Sequence, residues 1–208
     1  MIRAERIEDY VNRLASGEPT PGGGATAAVQ LAQAAGLLSM AANFSSGDGG
    51  TGRRAERHGA AARKLIPQAL ALADDDEQAF GQAAAAYKLP ADTEADASRR
   101  SREVQHGLRQ AATPPLGLVE LGGMLLGLAR ELEQEANPNV LSDIAAAAAS
   151  IRSAAGTAAA TLETNAAHLA DEAAVRRLQD AVVGADELAA GCDALSARLR
   201  ARIRANNG

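Results

Sequence analysis

The chain has no tryptophan, and its other aromatics amount to 2% of 208 residues, so any core must be built from aliphatic side chains. A single cysteine, Cys192, excludes an internal disulfide and a cysteine-cluster metal site; it reads as a small apolar residue in a helix seam. Valine and isoleucine are sparse, and no stretch alternates apolar and polar residues as a half-buried strand would. An excess of basic residues is missing too. The net charge is −5 and the arginines are interleaved with acids and alanines, which argues against a nucleic-acid partner. No charged-then-apolar leader opens the sequence. No uninterrupted apolar run comes near the ~20 residues of a membrane span, and residues 145–149 are too short for one. The expectation is a cytoplasmic protein with no membrane partner. Also absent are HExxH, a Walker-type loop, GxSxG and any ligand-spaced histidine pair, so no metal site is expected.

What is present is 47% apolar residue, chiefly alanine and leucine, both helix formers. The chain reads as all-α, a single domain over residues 1–208 and an antiparallel bundle of long helices. Ile7, Tyr10, Val11 and Leu14 recur at helical spacing, predicting an amphipathic helix over 3–15 that Gly17 ends. Residues 24–43 are small or apolar nearly all round, which marks a helix buried on most sides. Gly47-Asp48-Gly49-Gly50-Thr51-Gly52 reads as a flexible loop. A long helix then runs to Tyr87, with Pro67 as a start or kink. Leu89-Pro90-Ala91-Asp92 breaks it, Thr93-Glu94 begins another helix, and Pro114-Pro115 interrupts the next, which resumes over 116–135. After a turn at Asn137-Pro138-Asn139, a helix starts near Ser142-Asp143 and runs to about Leu169. The last helix, 171–204, carries a coiled-coil-like seam of Leu178, Val182, Ala185, Leu188, Cys192, Leu195 and Leu199. Alanine seams bury little area each, at about 25 cal/mol per Å2, and this deficit favours a homodimer.

The most informative segment is Pro19-Thr20-Pro21-Gly22-Gly23-Gly24, which leads straight into a small-residue helix. Two prolines and three glycines make a stiff approach followed by bare backbone, leaving N–H groups uncovered at the positive end of a helix dipole. Elsewhere the chemistry is thin. His58, His106 and His168 lie far apart and read as surface or helix-end residues. The run Asp74-Asp75-Asp76-Glu77 fans out around a helix and reads mainly as a solvated face, with Asp76 singled out because it stands four residues before Phe80. Tyr87-Lys88-Leu89-Pro90 ends a helix, where a lysine also complements the dipole. Asn137-Pro138-Asn139-Val140-Leu141-Ser142-Asp143 gathers two amides, a hydroxyl and a carboxylate. Turn and cap roles account for some of these, and so does recognition of a polar heterocycle.

Taken in order, these segments resemble the cyclodeaminase/cyclohydrolase family, that is, the C-terminal domain of formiminotransferase-cyclodeaminase and stand-alone methenyltetrahydrofolate cyclohydrolases. The resemblance runs through Pro19-Thr20-Pro21-Gly22-Gly23-Gly24, Met40-Ala41-Ala42-Asn43, Asp76-x-x-Ala79-Phe80, Ala86-Tyr87-Lys88-Leu89-Pro90, Ala111-Ala112-Thr113-Pro114-Pro115-Leu116, Asn137-Pro138-Asn139-x-x-Ser142-Asp143 and Asn165. It implies an all-helical homodimer that binds a folate in a cleft near the subunit interface, with no cofactor beyond the tetrahydrofolate-type substrate. The implied chemistry is hydrolysis of 5,10-methenyltetrahydrofolate to the 10-formyl compound, or loss of ammonia from 5-formiminotetrahydrofolate with ring closure. Asp143, Lys88 and Asp76 are the implied catalytic candidates. Pro21, Gly22, Gly23, Gly24, Tyr87, Asn137, Asn139, Ser142 and Asn165 are the implied substrate-binding residues. The sequence departs from the family pattern at Gly47-Asp48-Gly49-Gly50-Thr51-Gly52-Arg53-Arg54, where lysines are usual, and at Gln78 and Gly81, where acids are usual. Two other readings stand beside this one: an enzyme on the same scaffold with a different small-molecule substrate, and a non-catalytic helical binding module.

Overall fold

The computed structural model describes residues 1–47 and 49–206, and among these every regular element is helical. A 3-10 turn (Ile2–Ala4) precedes α1 (Ile7–Leu14), α2 (Gly23–Ser45), α3 (Gly50–Tyr87), α4 (Glu94–Ala111) and α5 (Thr113–Glu135). A second 3-10 turn (Pro138–Val140) then leads into α6 (Leu141–Ala166) and α7 (Glu172–Asn206). The helix at the centre is α2, whose Ala25, Ala27, Ala28, Leu31, Ala34, Ala35 and Leu38 are wholly buried. It packs against α3, α5 and α6. Small residues set how closely the helices approach: a Cβ at Gly59 of α3 would stand only 2.5 Å from the Ala42 Cβ of α2.

Three boundaries differ from expectation. The second half of the segment read as a glycine loop is helix, because α3 already begins at Gly50 and takes in Thr51 and Gly52. Its close turn depends on Gly52, where a Cβ would collide with the backbone of Gly47; Asp48 lies outside the described residues. Pro67 neither starts nor ends α3. It sits on the exposed face, where water can take over the carbonyl that its missing N–H leaves free. Pro114 and Pro115 occupy the first turn of α5, positions whose N–H groups have no intrahelical partner anyway, so they open a helix rather than interrupt one.

A fourth departure is α1, which covers only Ile7–Leu14 of the expected 3–15, after a separate 3-10 turn, and which does not face as an amphipathic helix should. Tyr10 is buried, whereas Ile7 is 82% and Val11 52% exposed. Polar anchors fix this helix instead. Arg13 bridges Glu5 and Glu77 of α3, and Arg3 Nε lies 2.9 Å from Asp74. The α7 seam is buried at Leu178, Ala185, Leu188, Cys192, Leu195 and Leu199, and Val182 is half-buried. Buried Glu133 of α5 clasps this helix by accepting from Arg198 Nε and Nη2 at 3.1 and 2.8 Å, while Arg202 donates to its carbonyl. By length and mean hydropathy alone, α2 and an 18-residue window within Glu94–Glu135 are apolar enough for a membrane span, although polar residues interrupt both. In the bundle, 61% and 50% of those windows are buried against other helices.

Candidate functional site

The glycine turn opens onto a cleft of about 660 Å3 between the start of α2, the middle of α3 and the C-terminal half of α6. Its walls include Pro19, Thr20, Gly22, Gly23, Gly24, Asp76, Phe80, Arg152, Thr157, Thr161, Thr164 and Asn165. Local sequence explains the shape. The Thr20–Pro21 peptide is cis, and Gly22 caps α2 in an extended conformation. The first turn is braced from behind. Thr26 Oγ1 donates to the Gly22 carbonyl at 3.0 Å, and Tyr10 Oη then donates to Thr26 Oγ1, also at 3.0 Å.

Asp76 reaches this bare helix end from α3. Its Oδ2 accepts the Ala25 backbone N–H at 2.9 Å, and a Cβ at Gly24 would overlap the carboxylate. Gly23 likewise faces α6, where a Cβ would come within 3.3 Å of Thr157 Cγ2. Burial raises the Asp76 pKa above the ordinary 3.8, the Ala25 N–H opposes that rise, and the Glu77 charge adds to it. A carboxyl group so placed can exchange a proton with a molecule lying against the glycine turn. Phe80, one turn further along α3 and 48% exposed, supplies an aromatic edge to the same wall.

Of the residues expected to form the site, Asp76, Gly22, Gly23, Gly24 and Asn165 come together here, while Pro21, next to the glycines in the chain, is buried and does not line the cleft. Asn165 is buried and donates from Nδ2 to the Ala111 carbonyl at 3.2 Å. The others lie elsewhere in the chain. Tyr87 and Lys88 end α3, about 17 Å along its axis from Asp76. Asn137, Asn139, Ser142 and Asp143 stand at the opposite end of α2 from the glycine turn, about 33 Å away along that helix. There Asn137 accepts the Asn139 N–H at 3.0 Å, donates to the Phe44 carbonyl at 3.3 Å, and gives its own backbone N–H to Ser45 Oγ at 2.9 Å. These bonds hold a turn against the end of α2. Asp143 lies in the first turn of α6, where the dipole favours a carboxylate. The grouping of the glycine turn, Tyr87-Lys88 and 137–143 around one cleft is therefore not made within one chain.

The departures from the family pattern also fall outside the cleft walls. Gln78 lines a separate depression with Leu72, Gln82 and Pro114. Gly47 and Arg53 line another, beside Asn43 and Glu56. His58 is half-buried rather than superficial, with Nδ1 3.0 Å from Glu135, a carboxylate that also takes Arg54 Nε at 2.6 Å. Among the described residues, no group of three His, Cys, Asp or Glu could hold a metal ion. Arg152 and the three threonines went unread in the sequence. The signal was there: Thr157, Thr161 and Thr164 recur at helical spacing, and Arg152 is the sole cation of α6.

Known proteins agree with this architecture. The profile of the formiminotransferase-cyclodeaminase family matches residues 6–184. A methenyltetrahydrofolate cyclohydrolase of Methylorubrum extorquens is 31% identical over 166 residues, covering 74% of this chain and 78% of that protein. The formimidoyltransferase-cyclodeaminase of Rattus norvegicus is 34% identical over 152 residues, 70% of this chain but 27% of that longer protein. The crystal structure of a formiminotetrahydrofolate cyclodeaminase from Thermotoga maritima superposes with a TM-score of 0.82 at 23% identity, covering 100% of both chains, and establishes the shared fold. With the family profile spanning most of its length and a relative 31% identical over 74% of it, the chain belongs to the formiminotransferase-cyclodeaminase family.

Proposed function

We propose that this protein is a folate-dependent one-carbon enzyme that hydrolyses 5,10-methenyltetrahydrofolate to 10-formyltetrahydrofolate or deaminates 5-formiminotetrahydrofolate with ring closure. The observation that carries the reading is Asp76, the sole carboxylate among the described residues of the cleft, held on the Ala25 N–H with its proton affinity raised by burial. Both reactions pass through a tetrahedral carbon and need a group that takes a proton and returns one. In hydrolysis, water adds to the carbon between N5 and N10 and loses a proton. The bond to N5 then breaks as the new hydroxyl gives up its remaining proton to become the formyl carbonyl and N5 gains one. In cyclodeamination, N10 adds to the formimino carbon and loses its proton, and the protonated amino group leaves as ammonia. Asp76 acts first as base and then as acid in either sequence. The substrate lies along bare backbone at Gly22, Gly23 and Gly24, and the chemistry calls on no cofactor beyond it.

The dimer belongs to the same reading. Ala146 and Ala149 of α6, and Met40 and Phe44 of α2, are exposed outside the cleft on two helices that pack together, and Phe44 is 63% exposed. A second copy seated on these helices covers them, and α6 continues into the cleft. Asp143, Asn139, Ser142, Tyr87 and Lys88 contribute to catalysis only where such a copy brings them to a cleft. Sedimentation of the purified protein tests the dimer. A spectroscopic assay of methenyltetrahydrofolate hydrolysis, with the formimino compound run alongside, tests the activity. The proposal predicts turnover of one of the two, lost in Asp76→Asn. Turnover of neither folate by wild-type protein rejects it.

A further inference from the structure

The α6 wall of the cleft is graded along its length. Thr157, Thr161 and Thr164 each donate the hydroxyl hydrogen back to the carbonyl four residues earlier, at 3.1, 2.9 and 2.8 Å. With those hydrogens committed, their oxygens offer only acceptor capacity. Asn165 stands at the same end with its Nδ2 committed to Ala111, which leaves Oδ1 as a further acceptor. A row of acceptors matches a heterocycle rich in N–H groups.

The other end of this wall is cationic. Arg152 is the sole Lys or Arg among the cleft residues, and its Nε donates to Asp193 Oδ1 of α7 at 2.6 Å. That bond fixes one edge of the planar guanidinium and leaves the Nη edge uncommitted among the described residues. The Arg152 and Asp193 side chains are 55% and 56% exposed, so their pairing is weak and a second carboxylate can join without displacing a strong partner. From Arg152 to Asn165 the helix rises about 20 Å, comparable to an extended pterin–aminobenzoyl–glutamate. Asp76 lies between the two ends, since its partner turn at Gly23 faces Thr157. A ligand with its heterocycle against the threonines therefore presents its reacting carbon near Asp76 and its acidic tail near Arg152.

We propose that Arg152 is the subsite for the carboxylate tail of the substrate and fixes the direction in which that substrate lies along α6. The proposal deepens the folate reading above and rests on it. The bidentate fork of an arginine suits a carboxylate, and loss of such a charge-assisted contact is expected to weaken binding roughly tenfold or more.

The test compares wild type, Arg152→Gln and Arg152→Lys on 5,10-methenyltetrahydrofolate and on the same compound without its glutamate, 5,10-methenyltetrahydropteroate. Calorimetric titration accompanies the absorbance assay. The expected result is a rise in KM and Kd of roughly tenfold in Arg152→Gln for the glutamate-bearing compound, with a smaller rise in Arg152→Lys. Wild type and Arg152→Gln should converge on the tail-less compound. Equal weakening on both compounds, or no weakening on either, overturns the tail subsite while leaving the folate function standing. Wild-type protein that binds neither compound overturns the folate reading and the subsite with it.

Discussion

The Asp76 carboxylate fills the space where a Cβ on Gly24 would stand, so these two residues, 52 positions apart, form a matched pair. The glycine is required here by close approach and not by backbone conformation, since no glycine among the described residues has positive φ. Gly24→Ala is therefore expected to push Asp76 off the Ala25 N–H. A displacement of about an ångström at a proton-transfer group lowers kcat/KM on the order of a hundredfold. Gly123→Ala, on an exposed position of α5 with open space around it, is the control. It should raise stability by about 0.5–1 kcal/mol without that loss. Equal activity in the two variants would show that Asp76 does not act from this position.

Asp76→Asn should separate activity from stability. Turnover falls on the order of 10²–10⁴-fold, because the amide cannot carry the proton. The raised pKa of Asp76 means that the folded state holds this proton more tightly than the unfolded chain does. Stability from that preference is fully present below the unfolded pKa and is lost as pH rises through the folded pKa. At neutral pH the buried charge is a net load on the fold, so Asp76→Asn should melt at an equal or higher temperature than wild type. That advantage should vanish as pH falls below the ordinary 3.8. Thermal melts across this range check the sign, and the acid limb of kcat/KM, expected above 3.8 in wild type, should disappear in the variant.

Helix content and order were legible because alanine and leucine periodicity leaves few alternatives, and α2, α6 and α7 follow the expected pattern closely. What the periodicity could not show was facing. The outward turn of Ile7 and Val11 on α1 is set by Arg13 reaching Glu77, a contact 64 residues away in sequence. Asp76 and the glycine turn were readable as candidates from local chemistry, but their contact is a tertiary fact. Arg152 and the threonines were passed over because a lone arginine and scattered hydroxyls on an alanine-rich helix look like ordinary surface. Only the placement of α6 against the glycine turn makes them a wall.

Close helix packing gives a further prediction away from the cleft. Gly59 of α3 lies where a Cβ would meet the Ala42 Cβ of α2 at 2.5 Å, and both residues are buried. Gly59→Ala should force the two helices apart and destabilise the protein by about 1–3 kcal/mol. Ala42→Gly in the same chain should recover part of that loss by relieving the overlap, even though glycine in a helix carries its own penalty of about 1 kcal/mol. Denaturant melts of both single variants and the double variant measure the coupling. Strict additivity would mean that the helices do not touch at this point.

Cys192 reports on the other side of the bundle. It is wholly buried in the α7 seam, and burial pushes its thiol pKa up to about 11, with the nearby Arg130 and Arg152 charges too weak to offset this. Since the thiolate is the reactive form, a group with this pKa offers only about one part in ten thousand of it at neutral pH. The native protein should therefore resist alkylation, and labelling should become fast only as α7 detaches. Measured against denaturant, the labelling rate should track global unfolding, because Leu188 and Leu195 of the seam share one core with Leu126 of α5 and Ile151 of α6. Rapid labelling in native buffer would require α7 to open independently of the bundle, and the Glu133 clasp with Arg198 and Arg202 would then not be holding it.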